Sequence, residues 1–328
     1  MRKLKIAYIG NFEPEFSTEN DIRKAFEFLG HEVVKLQENK INISQVRNTA
    51  LSSDMLLITS TWDTVLDLKS MIDIFYECSK EGIPTATVHL DVFWGTTRGG
   101  RSWWLNPMFH TAYIFTVDGD HDIEWKNFGK NHIWLPPAVR HDAVHYGKHR
   151  EEYDCDVSFV GSNGVGYHTD VWPDRKILVD NLRDMCKRNG WKFKNPGGDD
   201  PKINRDEDMN DFYASCKVSV GDSLCIKKEK SLYWSDRLPE ATGRGGFLIM
   251  PDIWALNNQN YDFYYGNLAT YPWGDYEKLE ETIKYYLTNY DDRINSRRAC
   301  QEYTAENHTY VNRAQTILDT VFEETNND

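Results

Sequence analysis

The pattern of apolar and polar positions in the first half of the chain alternates between two periods. Longer stretches with apolar residues every three or four positions predict amphipathic helices, the clearest of which begin near Ser17 and Val65. Between them lie short apolar runs that are typical of buried strands. These runs are 4–10, 32–36, 54–61, 84–91, 112–118 and 132–139. Strands separated by helices predict βαβ units and a parallel sheet.

The second half repeats this alternation. Apolar runs predict strands, and amphipathic stretches predict helices, of which the last two are long. The predicted strands lie in 155–166, 191–197, 217–223 and 247–251, and the helices in 174–190, 206–216, 276–289 and 291–324. The expected fold class is α/β, with two Rossmann-like domains that face each other across a cleft.

The expected boundaries follow from these patterns. An N-terminal Rossmann-like domain is predicted over 1–140, and a C-terminal Rossmann-like domain over 155–300. The segment 141–154 is polar and lacks periodicity, so it is interpreted as a linker. The last stretch, 301–328, is predicted to be a helix that packs back toward the N-terminal domain.

Composition narrows the class of protein. The 328 residues are 40% hydrophobic and carry a net charge of −13. We expect a cytoplasmic protein without a membrane span, because no apolar stretch approaches the roughly 18 residues that a span needs. The six cysteines are scattered and form no zinc motif, so no metal site is predicted from them. The acidic charge disfavours nucleic acid as a partner but leaves room for a local basic groove.

One stretch carries most of the candidate chemistry, "YWSDRLPEATGRGGFLIMP" from Tyr233 to Pro251. Arg237 and Glu240 are one helical turn apart, with Ser235 or Asp236 as the expected cap of their helix. An arginine near a helix start suits phosphate, and a glutamate suits the two hydroxyls of a ribose. The structural alternative is a surface Arg–Glu pair followed by glycines that serve only the turn.

These residues also resemble a known family. "RLPEATGRGGFLIMP" is similar to the C-terminal signature of GT-B glycosyltransferases of the CgeB-like, family 1 type, which has spore-maturation and phage-encoded relatives. "VSFVGS", "MNDFYASCKVSV" and "NHTYVNRAQTIL" resemble further segments of that family, and "GNFEPEFSTENDIRKAFEFLGHEV" resembles the opening of related enzymes. The resemblance covers nearly the whole chain, and the Arg–Glu–Gly signature is its most specific part.

The resemblance implies a sugar donor on a nucleoside diphosphate, with UDP favoured, held mainly by the C-terminal domain. Arg237 would bind the diphosphate, Glu240 the ribose, and Gly161 and Ser162 would lie beside the phosphates. Lys230, with Lys227 and Lys228, is a candidate second phosphate contact or else a solvated basic loop. Gly245 and Gly246 complete the predicted donor site. Related retaining enzymes carry a second glutamate at the position of Leu232, so the contact to the donor sugar must come from elsewhere.

The N-terminal domain would then bind the acceptor. Ligands of parallel sheets bind at the carboxyl ends of the strands. Asp91 is the first candidate for a general base and Glu19 the second; in a retaining enzyme Asp91 would instead position the acceptor. Candidate substrate contacts are Asn11, Ser17, Thr18, His89 and Trp94.

Asp118 and Asp120 form a DxD triplet, which binds metal in another glycosyltransferase fold. No resident cofactor is expected here, and metal is expected not to be required, since a helix dipole and basic side chains can hold the donor.

Two functions remain open on the sequence. The first is transfer of a sugar from a nucleoside-diphosphate sugar to an unidentified acceptor, with a modified phage DNA base as one candidate. The alternative is a non-catalytic protein of the same fold that binds nucleotide sugars or has a structural, spore-coat-type role. The donor sugar, the stereochemistry and the oligomeric state are not indicated.

Overall fold

The computed structural model describes residues 2–59, 66–92, 105–164, 174–206, 208–223, 232–257, 264 and 266–323. The chain divides into two compact units: unit 1 comprises Met1–Pro136 with Tyr310–Asp328, and unit 2 comprises Pro137–Thr309. Trp94, Lys227, Lys228 and Lys230 lie outside the described residues.

Each unit contains a parallel sheet, as the alternating pattern predicts. The strand order is β2-β1-β3-β4-β5-β6 in unit 1 and β11-β10-β9-β7-β8 in unit 2. The predicted α/β class with two parallel sheets is therefore confirmed. The strands are β1 Lys5–Gly10, β2 Glu32–Gln37, β3 Met55–Ile58, β4 Thr85–His89, β5 Tyr113–Thr116, β6 Asn131–Trp134, β7 Cys155–Ser158, β8 Phe193–Lys194, β9 Cys216–Val220, β10 Leu248–Pro251 and β11 Ala269–Tyr271.

Most of the helices pack against the strands of these sheets. Among the residues described, none of the helices is long and apolar enough to cross a membrane. The helices are α1 Thr18–Phe28, α2 Ile43–Leu51, α3 Leu68–Lys80, α4 Asp122–Asn127, α5 Arg175–Asn189, α6 Met209–Ser215, α7 Arg237–Gly243, α8 Tyr276–Thr288, α9 Tyr290–Asn307 and α10 Tyr310–Glu323.

The core of unit 1 forms where apolar strand residues meet α2 and α3. Every residue of β3 is buried. Leu56 and Ile58 of this strand belong to one core cluster, which also contains Ile74 and Phe75 of α3. Helix α1 begins where Ser17 caps it, since the Ser17 hydroxyl accepts a hydrogen bond from the Asn20 amide at 3.2 Å. The Ser17 side chain therefore stabilises the helix start.

Several boundaries differ from the sequence prediction. The last predicted helix, 291–324, is broken at His308 into α9 and α10, and α10 belongs to unit 1, where it packs against α1. The predicted linker 141–154 contains two short 3-10 helices, at His141–Ala143 and Glu151–Tyr153, and lies within unit 2. Helix α2 and strand β11 were not predicted.

The sequence at the start of helix α2 contains a recognisable capping motif. The Asn42 side chain accepts from the Gln45 amide, and the Gln45 side chain accepts from the Asn42 amide, both at 3.0 Å. This reciprocal pair is a capping box. It satisfies two backbone donors that the helix itself cannot pair.

We expect Asn42→Ala to destabilise unit 1 by about 1 kcal/mol, because the substitution removes the cap acceptor. Asn42→Ser keeps a hydroxyl acceptor and should cost only a fraction of that. Thermal unfolding of both variants checks this. Equal losses for the two would mean that the capping hydrogen bond contributes nothing.

Candidate donor site in unit 2

The carboxyl ends of β7 and β9 bring two loops side by side in unit 2. Strand β7 runs into Phe159 and Gly161, and β9 runs into Asp222. Neighbouring parallel strands end at the same sheet edge, which is where ligands of such sheets bind. The candidate site is built on this edge.

Asp222 is the centre of the site. Its Oδ2 accepts from Arg175 Nε at 2.6 Å, and its Oδ1 lies 2.9 Å from Arg237 Nη1. Only 8% of the Asp222 side chain is exposed, against 5% for Arg175 and 16% for Arg237. One buried carboxylate thus holds two guanidinium groups that would otherwise repel each other.

The charges of this trio are set by burial and by each other. Burial raises the pKa of Asp222, but the positive charges of Arg237 and Arg175 lower it by a larger amount. The net effect is a pKa below the usual value for a carboxyl group. Burial lowers the pKa of Arg175, and the charge of Arg237 adds to that lowering. All three groups are ionised at neutral pH, which leaves one more positive than negative charge. Asp236 is exposed, so water screens its contribution.

Phe159 supports both arginines from one side. The Arg237 Cζ lies 5.2 Å and the Arg175 Cζ 5.9 Å from the centroid of its ring. Cations over an aromatic face at this range are attracted by the ring quadrupole. Arg237 Nε also donates to the Val160 carbonyl at 2.7 Å. The two guanidinium groups are therefore held in place before any ligand binds.

Gly161 leaves room for Arg237. A Cβ at this position would lie 2.3 Å from Arg237 Nη2, and the backbone φ of +143° is strained for any residue with a side chain. The predicted neighbours Gly161 and Ser162 are thus brought to the arginine pair. The Ser162 hydroxyl lies 3.4 Å from Arg175 Nη1, which is a long hydrogen bond.

Asn195, which sequence reasoning missed, fixes the loop that carries Gly161. Its Nδ2 donates to the carbonyls of Phe159 and Gly161, each at 2.8 Å, and the residue is fully buried. Turning the amide over would place its oxygen against two carbonyl oxygens, so its orientation is determined. Asn195 therefore sets the position of the backbone beneath the arginines.

Glu240 lies in a second ionic cluster. Its Oε1 accepts from Arg205 Nη2 at 2.7 Å and its Oε2 from Arg244 Nε at 2.8 Å. Burial raises the pKa of Glu240, but these arginines lower it below its usual value. Arg237 and Glu240 thus have different partners, and the alternative of a surface Arg–Glu pair is wrong. Each carboxylate oxygen keeps a second lone pair, so ribose binding by Glu240 stays a prediction.

Aromatic rings pack closely against Gly245 and Gly246 of the motif. A Cβ on Gly245 would lie 2.4 Å from the Tyr146 ring, and one on Gly246 2.8 Å from Tyr213. Neither Ser235 nor Asp236 caps α7 with its side chain, contrary to expectation. The Ser235 hydroxyl instead donates to the Asp222 carbonyl at 2.6 Å. A donor role for the two glycines stays a prediction.

In unit 1, the residues predicted to contact the sugar acceptor, as far as the structure describes them, lie along the carboxyl edge of the sheet. Asn11 follows β1, and its Oδ1 accepts from Gln37 Nε2 at 3.1 Å. Thr18 and Glu19 open α1, where Glu19 is buried and its Cγ lies 2.9 Å from the Cβ position of Gly10.

His89 ends β4, two residues before Asp91. The His89 ring is buried edge-on against Phe109, with the two ring centroids 5.8 Å apart, whereas Asp91 is half-buried. Catalytic roles for Asp91 and Glu19 stay predictions.

The Asp118–Asp120 triplet forms a local turn. Asp118 is buried, and its Oδ1 accepts from the Asp120 amide at 3.2 Å. Within the parts of the chain that the structure describes, no group of three or more histidine, cysteine, aspartate or glutamate side chains could hold a metal ion.

Asp222→Asn should destabilise unit 2 by about 3–5 kcal/mol, since it leaves two buried arginines without their counter-charge. Because the folded pKa of Asp222 is depressed, its contribution is present above the ordinary carboxyl pKa of about 3.9 and is lost as the pH falls through the lowered value. Chemical unfolding from pH 7 downward measures this. Asp180→Asn is the control: its side chain is 42% exposed, so its removal should cost at most about 1 kcal/mol. Equal losses for both would contradict the role given to Asp222.

Comparison with known proteins places the chain in a family. A family model described as glycosyl transferase-like matches residues 150–319, which is more than half of the 328 residues. A search of curated proteins gave no significant match.

Solved structures share the fold over nearly the whole chain. An alpha-glucosyltransferase in complex with UDP-glucose and DNA containing an abasic site has a TM-score of 0.67 at 12% identity, covering 98% of this chain and 100% of that one. A glycosyltransferase from Rickettsia africae has a TM-score of 0.61 at 12% identity, covering 100% of both. HepE from Anabaena, in complex with UDP and glucose, has a TM-score of 0.58 at 12% identity, covering 97% and 99%.

At these identities the likeness concerns the fold, which is that of GT-B glycosyltransferases. The family match covers the whole of the candidate site, from the loop after β7 to α7. The chain therefore belongs to the glycosyl transferase-like family, and the protein is a glycosyltransferase.

Proposed function

We propose that this glycosyltransferase takes its sugar from a UDP-sugar whose diphosphate binds to Arg175 and Arg237. The observation that carries the proposal is the pair of buried guanidinium groups held by one carboxylate, Asp222. Planar guanidinium groups match phosphate oxygens in geometry and charge. The positive excess of the trio favours a dianionic group at the carboxyl ends of β7 and β9.

The same groups would also assist the chemistry. When the bond between the sugar and the diphosphate breaks, negative charge develops on the leaving phosphate. Fixed positive groups that are already oriented stabilise such charge without reorganising. Arg175 and Arg237 are fixed in this way by Asp222 and Phe159. We infer that these arginines do what a metal ion does in other glycosyltransferases.

UDP is favoured as the nucleotide by two of the similar structures, in which an alpha-glucosyltransferase and HepE are bound to UDP. In the proposal Glu240 accepts the ribose hydroxyls through its remaining lone pairs. Asp91 acts as general base or positions the acceptor, with Glu19 as the second candidate. Membership of the CgeB-like subtype is part of the same proposal and rests on the signature around Arg237.

We expect Arg237→Lys to weaken UDP binding by roughly tenfold or more, because a lysine loses the fork geometry and a hydrogen bond to a charged group contributes about 1.5–3 kcal/mol. Arg175→Lys should behave alike. Isothermal titration calorimetry with UDP, ADP and GDP measures this and identifies the base. Arg188→Ala removes an exposed arginine that pairs with Glu280 and should leave the affinity unchanged. Unchanged UDP affinity in both lysine variants would exclude this diphosphate site.

For the acceptor, we propose a DNA base as one candidate. Similar structures of the alpha-glucosyltransferase hold a 13-mer DNA, in two cases with an HMU base. A base carrying a hydroxymethyl group would supply the hydroxyl that attacks the sugar. The net charge of −13 opposes long-range attraction of DNA, so binding would depend on local contacts.

Transfer from radiolabelled UDP-glucose to a duplex that contains one HMU base tests this acceptor, with the same duplex containing thymine as control. The proposal of a DNA acceptor predicts label in the first duplex alone, and more of it at low salt. Hydrolysis of UDP-glucose without transfer to either duplex would exclude HMU-containing DNA while leaving the donor proposal intact.

A further inference from the structure

A small cavity in unit 1 lies at the carboxyl ends of β1 and β3. Its walls include Ile9, Ile58, Met71 and Met108, and Glu38 is the ionisable residue among the described residues that line it. The volume open to the centre of a water molecule is about 10 Å³, so the cavity has room for about one water molecule. With the adjoining solvent included, the empty space is about 270 Å³, so the cavity opens outward.

Glu38 is held in this cavity by its backbone rather than by its side chain. Its amide donates to the Gly10 carbonyl at 3.1 Å, just beyond the end of β2. The residue is only 3% exposed, and its buried Oε2 has no hydrogen-bond partner among the described residues. A buried carboxyl oxygen without a partner is costly, and such groups in native proteins usually meet a ligand or an ordered water.

Burial and a neighbouring negative charge bring the pKa of Glu38 close to neutral pH. Burial raises its pKa to about 7, with the negative charge of Glu19 on α1 adding to the rise. Lys40, just beyond β2, pairs with Glu13 in the loop after β1. Among the described residues no cation pairs with Glu38. At neutral pH it therefore exists as both the acid and the carboxylate.

We propose that Glu38 and this cavity form a subsite for one neutral hydroxyl group of the molecule that receives the sugar. The inference rests on the proposed function and names a contact for the acceptor that the sequence did not indicate. The position fits, because acceptors of the parallel sheet in unit 1 would bind at its carboxyl edge.

The choice of a hydroxyl follows from the two protonation states. A hydroxyl donates to the carboxylate and accepts from the acid, so it satisfies Oε2 in either state. An ammonium group would serve the carboxylate alone, and its other N–H groups would meet a wall that is mostly apolar, with Asn106 as its other polar side chain. An anion would serve the acid alone and would be repelled by Glu19.

The test uses methyl-labelled methionine in the full-length protein, because Met71 and Met108 line the cavity. Their NMR signals are assigned with Met71→Leu and Met108→Leu. The probes are methanol, methylammonium and formate, each titrated at pH 6 and at pH 8.5. Glu38→Gln keeps a neutral group that donates and accepts, whereas Glu38→Leu fills the same space without a polar atom.

We expect methanol to shift both methyl signals saturably at both pH values, in the wild type and in Glu38→Gln. In Glu38→Leu the affinity should fall at least tenfold. Methylammonium binding more tightly than methanol at pH 8.5, or methanol shifts that survive in Glu38→Leu, would overturn the assignment. Since this titration contains no nucleotide, its failure is distinct from failure of UDP to bind in unit 2.

The link to the acceptor is tested by product partition. With UDP-glucose and methanol, the wild type should form methyl glucoside as well as glucose. Glu38→Leu should lower the ratio of methyl glucoside to glucose, while its affinity for UDP stays unchanged. An unchanged ratio would show that the subsite does not serve the acceptor.

Discussion

A single buried carboxylate between two arginines is the interaction on which the candidate donor site depends. Without Asp222, Arg175 and Arg237 would be like charges in a poorly hydrated space, and each would turn toward water. With Asp222, both are fixed over the Phe159 ring with their positions set in advance. Burying two like charges lowers the stability of unit 2, and a bound anion would offset this loss.

The parallel sheet explains why these groups meet. Arg175 and Asp222 are 47 residues apart in the chain, and Arg237 reaches Val160 across 77 residues. They meet because β7 and β9 are neighbours whose carboxyl ends coincide. Asn195 then fastens the loop after β7 from below. The same logic of strand ends places Glu38, Glu19 and Asp91 along one edge in unit 1.

The sequence predicts the sheets well, because apolar runs and helical periodicity are local signals. Its signature around Arg237 also identifies one arginine of the pair. Arg175 and Asp222 carry no local signal: the first opens an ordinary amphipathic helix, and the second follows an ordinary strand. Their importance arises from contacts across the chain, as does that of Arg205, 35 residues from Glu240.

Two misses have physical causes of a different kind. The capping box at Asn42 and Gln45 was present in the sequence, but α2 is short and follows a polar turn, so its periodicity is weak. Glu38 lies in "QENK", which has the composition of a solvated turn. Glu38 is buried nonetheless, because residues from distant parts of the chain, among them Met71 and Met108, fold over it.

A crystal structure of the protein with UDP would show directly where the diphosphate binds. We predict that oxygens of the diphosphate lie within hydrogen-bond distance of the guanidinium groups of both Arg175 and Arg237, with Asp222 still between them. A diphosphate bound elsewhere in the protein, with the Asp222 trio unchanged and without a ligand, would contradict it.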